Sequence, residues 1–160
     1  HTDFGKWALS DNKHGLPTEG TCSCYEIILK AGVENRLITH EQISELYQPD
    51  TQSSCKWMDE VLCKDKTVLT NTNPSPNQAR PKAGDLILFG DNTRATSAEQ
   101  RPSTNVHVVT ALGNEEGPVR VLSHHREGQP PVVLTLEELM LEMPGLSGQK
   151  MVFSEPQWPI

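Results

Sequence analysis

The hydrophobic pattern of this chain changes period near residue 66, and that change narrows the folds open to it. Before it, apolar residues recur at helical spacing. Tyr25, Ile28 and Leu29 share one face of a run from Cys22 to Ala31, with Gly32 as the expected stop. Thr39-His40-Glu41-Gln42 is a capping-box pattern opening a helix through Tyr47, with Ile43, Leu46 and Tyr47 as its stripe. Ser54 is placed to cap a third helix that turns Trp57, Met58, Val61 and Leu62 inward. After residue 66 the apolar residues come in short blocks: Thr67–Leu69, Asp85–Phe89, Val106–Leu112, Val119–Ser123, Val132–Leu134 and Met151–Phe153. Blocks of that length bounded by Gly, Pro and Asn read as strands, and Gly113–Gly117 reads as a hairpin turn. Thr135-Leu136-Glu137-Glu138 is a further capping box, opening a helix to about Met143. Helices first and antiparallel strands after them predict an α+β fold, as one domain over residues 1–160.

Residues 70–82 and 91–104 are polar and are expected to be loops. The net charge of −7 argues against a nucleic-acid partner, whose phosphates need a basic face. No apolar run reaches the roughly 18 residues a membrane helix needs, so no membrane span is expected. The opening His1-Thr2-Asp3-Phe4 has neither the charged nor the apolar region of a signal peptide, and the missing Met predicts a trimmed chain or a domain cut from a longer protein. The four cysteines, Cys22, Cys24, Cys55 and Cys63, are too few for a disulfide scaffold. Cys55 and Cys63 can pair only if the chain between them is not a straight helix, which would set them about 12 Å apart; otherwise they pack as small hydrophobes.

Within this frame Cys22 stands out. It follows a loop holding Gly15, Pro17 and Gly20 and stands at the mouth of the first long helical run. The unpaired amides at a helix N-terminus favour a thiolate there. Cys24, two positions on and about 200° around a helix, is read as a packing thiol. A thiolate nucleophile needs a base, and His107 is the candidate, near the start of a strand and on the face shared by Val109 and Ala111. A third group on the next strand would hold the imidazole tautomer. Ser123, His124 and His125 are the candidates: alternation sets Ser123 and His125 inward with Val119 and Val121, and His124 outward. Two other readings use the same residues. The cysteines and histidines can supply metal ligands, although Cys-x-Cys is not a usual zinc spacing. An uncharged Ser123 fits a decayed triad in a binding module.

Three segments, in order, resemble the papain-like cysteine peptidases and amidases of the NlpC/P60 and CHAP type. Gly15–Ser23 is similar to the family's Gly/Pro loop leading to the nucleophile, with Thr21 where the family has Asp. Ala83-Gly84-Asp85-Leu86-Ile87-Leu88-Phe89 resembles its Pro-Gly-Asp-Leu strand. His107-Val108-Val109-Thr110-Ala111-Leu112-Gly113-Asn114 resembles its His-Val strand ending in Leu-Gly-Asn. The resemblance implies a papain-like fold with N-terminal helices packed on an antiparallel sheet. It implies Cys22 as nucleophile, His107 as base and one of Ser123, His124 or His125 as orienting residue, with no cofactor and no metal. The implied substrates are amide bonds, most often the peptide stems or cross-bridges of bacterial peptidoglycan, in a secreted or periplasmic setting. A delivered effector or toxin acting as a protease or deamidase on a protein, with an immunity or inhibitor protein as partner, is the alternative.

Overall fold

A computed structural model describes residues 2–17, 20–48, 54–90, 105–126 and 128–159, without the side chains of 54, 55, 105 and 106. The expected loop at 91–104 lies outside these residues.

The helical half begins with α1, Asp3–Ala8, capped by the Thr2 hydroxyl, which accepts from the Gly5 amide at 3.0 Å. Its Phe4 and Trp7 are buried, whereas Leu9 stays exposed beyond its end. The second helix, α2, spans Cys24–Glu34. It starts two residues later than expected because Ser23 and Glu26 form a capping box: the Ser23 amide donates to Glu26 Oε1 at 2.8 Å and the Glu26 amide to Ser23 Oγ at 3.3 Å. Cys22 therefore lies just outside the helix, and Cys24 is its first residue. Helix α3, His40–Leu46, opens on the expected Thr39–Gln42 box. Helix α4, Ser54–Trp57, continues into a π-helical turn, Met58–Leu62. That wider turn buries Met58 and Leu62 but leaves Val61 43% exposed, against the expectation that it points inward. Cys63 follows as a free, buried thiol, pushed up to about 12 by burial; the Cys55 side chain lies outside the described residues.

Gly32 does not stop α2, which runs on to Glu34. Its lack of a side chain serves another purpose. A Cβ there would come within 2.6 Å of the Trp158 ring, which the C-terminal segment lays against the helix. Gly32→Ala is therefore expected to destabilise the protein by about 1–3 kcal/mol through overpacking, despite the better helix propensity of Ala. An unchanged urea midpoint would show that Trp158 yields without cost.

The second half is one six-stranded antiparallel sheet. Its strands are β1 (Thr67–Leu69), β2 (Leu86–Gly90), β3 (Asn105–Ala111), β4 (Arg120–Ser123), β5 (Val132–Thr135) and β6 (Lys150–Ser154), in the order β1-β6-β2-β3-β4-β5. The last strand is thus inserted between the first two. Helix α5, Leu136–Glu142, follows β5 directly and is capped by Thr135.

Alternation along the strands divides the core in two. Leu86, Leu88, Val108 and Val152 join residues of the N-terminal helices and the π-helical turn, including Phe4, Leu29, Ile43 and Met58. Ile87, Phe89, Val109, Ala111, Val121 and Phe153 join Leu136 and Leu139 of α5. The sheet accordingly has a face covered by the N-terminal helices and a face covered by α5. Which face a side chain takes decides what it can meet.

Candidate functional site

The loop before α2 is fastened to α1. The Thr21 amide donates to Asp3 Oδ2 at 2.8 Å, the Asp3 amide to Thr21 Oγ1 at 2.9 Å and the Phe4 amide to the Thr21 carbonyl at 3.2 Å. Gly20 completes the turn with φ 124°, a conformation open to Gly, at a point where a Cβ would strike Asp3. From the other side, the Glu26 carboxylate is buried and accepts from Ser23, from the Thr2 hydroxyl at 2.8 Å and from the Tyr47 hydroxyl. Glu26 thus joins the ends of α1, α2 and α3 beneath Cys22. The Ser-x-x-Glu spacing at 23–26 was the sequence signal for this arrangement.

Cys22 is half-buried, and its partner is His124. The thiol Sγ lies 3.7 Å from His124 Nε2, and the same nitrogen lies 3.0 Å from the Cys22 carbonyl oxygen. A carbonyl can only accept, so Nε2 carries a hydrogen and donates it there. His124 Nδ1 is buried and has no hydrogen-bond partner among the described residues. Burial pushes the Cys22 thiol above its ordinary value; the nearby Glu26 charge adds to this and Lys30 opposes it. The resting pair is therefore a neutral thiol beside an imidazole.

An open groove of about 490 Å³ runs between α2 and strands β3 and β4. Ile27, Ala31, Val108, Leu122 and His124 line it, and Trp158 closes one side. Cys22 lines a separate small recess with Phe4, Pro17, Gly20, Thr21 and Lys30. His124 thus stands between the groove and the thiol, and Lys30 borders both.

The structure does not bring His107 to Cys22. His107 shares its face with Val109 and Ala111, as the alternation predicts, but that face belongs to α5 and not to α2. It lies opposite Phe89 in the β2–β3 register and is buried. Its Nε2 meets Ser123 Oγ at 2.9 Å; Ser123 Oγ meets His125 Nδ1 at 2.8 Å; and His125 Nε2 meets Glu142 Oε1 at 2.9 Å. Arg126 completes the group by donating to Glu142 from Nε at 2.8 Å and Nη2 at 2.6 Å. Burial holds the His107 imidazole down at about 4, with smaller contributions from His125 and His124. The five candidates therefore divide across the sheet. Cys22 and His124 meet on the α2 side, while His107, Ser123 and His125 form a buried chain on the α5 side.

The order hydroxyl, imidazole, carboxylate in Ser123–His125–Glu142 has the composition of a serine hydrolase triad. Ser123 is only 1% exposed, so its hydroxyl cannot reach a substrate. Glu142 was not among the sequence candidates. Its signal was an acid in the last turn of a helix, where the dipole disfavours it.

Among the described residues no three His, Cys, Asp or Glu side chains are grouped to hold a metal ion, and no helix is long and apolar enough to cross a membrane. Comparison with protein-family models, with curated proteins and with solved structures finds no match to this chain.

Proposed function

We propose that this protein is a papain-like cysteine hydrolase that cleaves amide bonds, with Cys22 as nucleophile and His124 as its acid–base partner. The approach of Cys22 Sγ to His124 Nε2, 3.7 Å, carries the reading. The resemblance of residues 15–23, 83–89 and 107–114 to NlpC/P60 and CHAP enzymes supports the reaction class. It also supports peptide stems or cross-bridges of peptidoglycan as substrates.

In this mechanism the ring first exchanges its hydrogen from Nε2 to Nδ1, which frees Nε2 from the Cys22 carbonyl to take up the thiol proton. The resulting imidazolium, with its Nε2–H between Sγ and the Cys22 carbonyl, holds the thiolate. The thiolate attacks the amide carbonyl, and the Cys22 backbone amide, just before α2, helps to receive the developing oxyanion. His124 then returns the proton to the leaving amine, and water resolves the thioester. His107 is the poorer base. Held near 4, it is neutral at physiological pH but only weakly proton-accepting, and it faces the other side of the sheet.

One observation favours a second nucleophile. Cys24, not Cys22, is the first residue of α2, where the helix amides stabilise a thiolate best. Digestion of muropeptides followed by mass spectrometry, with Cys22→Ala and Cys24→Ala in parallel, separates the possibilities. Cys22→Ala is expected to abolish cleavage and Cys24→Ala to retain it. Full activity in Cys22→Ala rejects the assignment, and loss confined to Cys24→Ala transfers it. A wild-type protein that leaves muropeptides intact but cleaves or deamidates a protein redirects the substrate to the effector class.

A further inference from the structure

The chain behind the sheet bears on how His124 is held. His124 Nδ1 has no partner among the described residues, so no side chain on that nitrogen orients the ring. Strand β4 ends at Ser123, whose partner Val132 is the last in the β4–β5 register. His124 is thus the first residue beyond the ladder, and apart from the Nε2 bond to the Cys22 carbonyl its placement depends on its neighbours in sequence.

Both neighbours point through to the α5 side and are tied there. Ser123 Oγ contacts His107 at 2.9 Å and His125 at 2.8 Å. His125, with a side chain only 4% exposed, contacts Glu142 at 2.9 Å. Arg126 adds two bonds to the same carboxylate. Glu142 therefore receives three hydrogen bonds from the two residues that follow His124.

Its chemistry also sets the direction of the chain. A carboxylate only accepts, so His125 donates from Nε2 and accepts at Nδ1. Ser123 then donates to His125 and accepts from His107 Nε2–H. The position of Glu142 is otherwise unfavourable: it is the last residue of α5, whose last turn has no basic residue, where the helix dipole disfavours an anion. The acid serves its partners, not its helix.

We propose that Glu142 is a positioning residue, which clamps His125 and Arg126 across the sheet and thereby sets the His124 imidazole against the Cys22 thiol. As a statement about catalysis this rests on the Cys22–His124 reading above. As a statement about ring placement it stands on the geometry alone.

The test compares the full chain with Glu142→Ala, Glu142→Gln and, as a surface control, Glu115→Ala. Three quantities are measured: the pH profile of Cys22 alkylation by iodoacetamide, the His124 imidazole shifts by NMR, and kcat and KM on muropeptides. Glu142→Ala is expected to displace the alkylation profile and the His124 shifts, and to lower kcat roughly tenfold or more with KM within about twofold. Glu142→Gln, whose amide oxygen still accepts from His125, is expected to recover most of both. An alkylation profile and His124 shifts in Glu142→Ala that match Glu115→Ala overturn the clamp. So does a Glu142→Gln variant as impaired as Glu142→Ala. If the wild-type protein cleaves nothing, the catalytic reading fails, and alkylation and NMR still decide the clamp.

Discussion

Replacing His124 with glutamine is expected to reduce amide cleavage by roughly a hundred- to ten-thousand-fold, the range removed with a general acid–base group. The same change at His107 should cost less than about tenfold. The two histidines differ in what they touch. His124 Nε2 lies 3.7 Å from the Cys22 sulfur, whereas His107 Nε2 is engaged by Ser123 on the opposite face. Glutamine at 107 keeps a polar partner for Ser123; glutamine at 124 keeps a donor for the Cys22 carbonyl but cannot exchange a proton with the thiol. Steady-state rates on one muropeptide, with circular dichroism to check folding, make the comparison. The reverse ranking, a large loss at His107 and a small one at His124, would return the base to the residue that the family resemblance implies.

The contrast between these histidines marks where the sequence stopped informing. Period-2 alternation correctly grouped His107 with Val109 and Ala111, and Ser123 with Val121. It says nothing about which face of the sheet α2 will cover, because that depends on packing between residues some eighty positions apart. Local signals fared well wherever the physics was local. The Thr39–Gln42 and Thr135–Glu138 boxes cap α3 and α5, and the apolar run after Gly84 is β2 at the centre of the sheet. The start of α2 was legible too, in Ser23-x-x-Glu26, but the glycines before Cys22 drew the boundary two residues early. Gly32 read as a helix stop because its partner, Trp158, lies at the far end of the chain. For the same reason nothing local places β6 between β1 and β2.

Acidification is expected to unfold the protein more readily, through His107. Burial lowers its imidazole from an ordinary 6.5 to about 4 in the folded state. Above pH 6.5 the ring is neutral in both folded and unfolded chains, and this contribution to stability is fully present. As the pH falls below 6.5 the unfolded chain takes up a proton that the folded protein refuses, so stability declines. Near pH 4 the folded protein is protonated as well, and the loss levels off at about 3 kcal/mol, since each pH unit between the two values is worth about 1.4 kcal/mol. Glu142 acts lower down. Arg126, and after it His125, hold its carboxyl at about 2, so its contribution is present above its ordinary 4.5 and is lost as the pH falls towards 2. Urea denaturation of the wild-type protein at pH 7, 5.5 and 4 should show most of the decline between the first and last of these. His107→Gln, which has no ring to protonate, should be less stable than wild type at pH 7 but should lose much less on going to pH 4. A wild-type stability that is flat from pH 6.5 to 4 would mean that the imidazole is protonated as easily inside the fold as outside it.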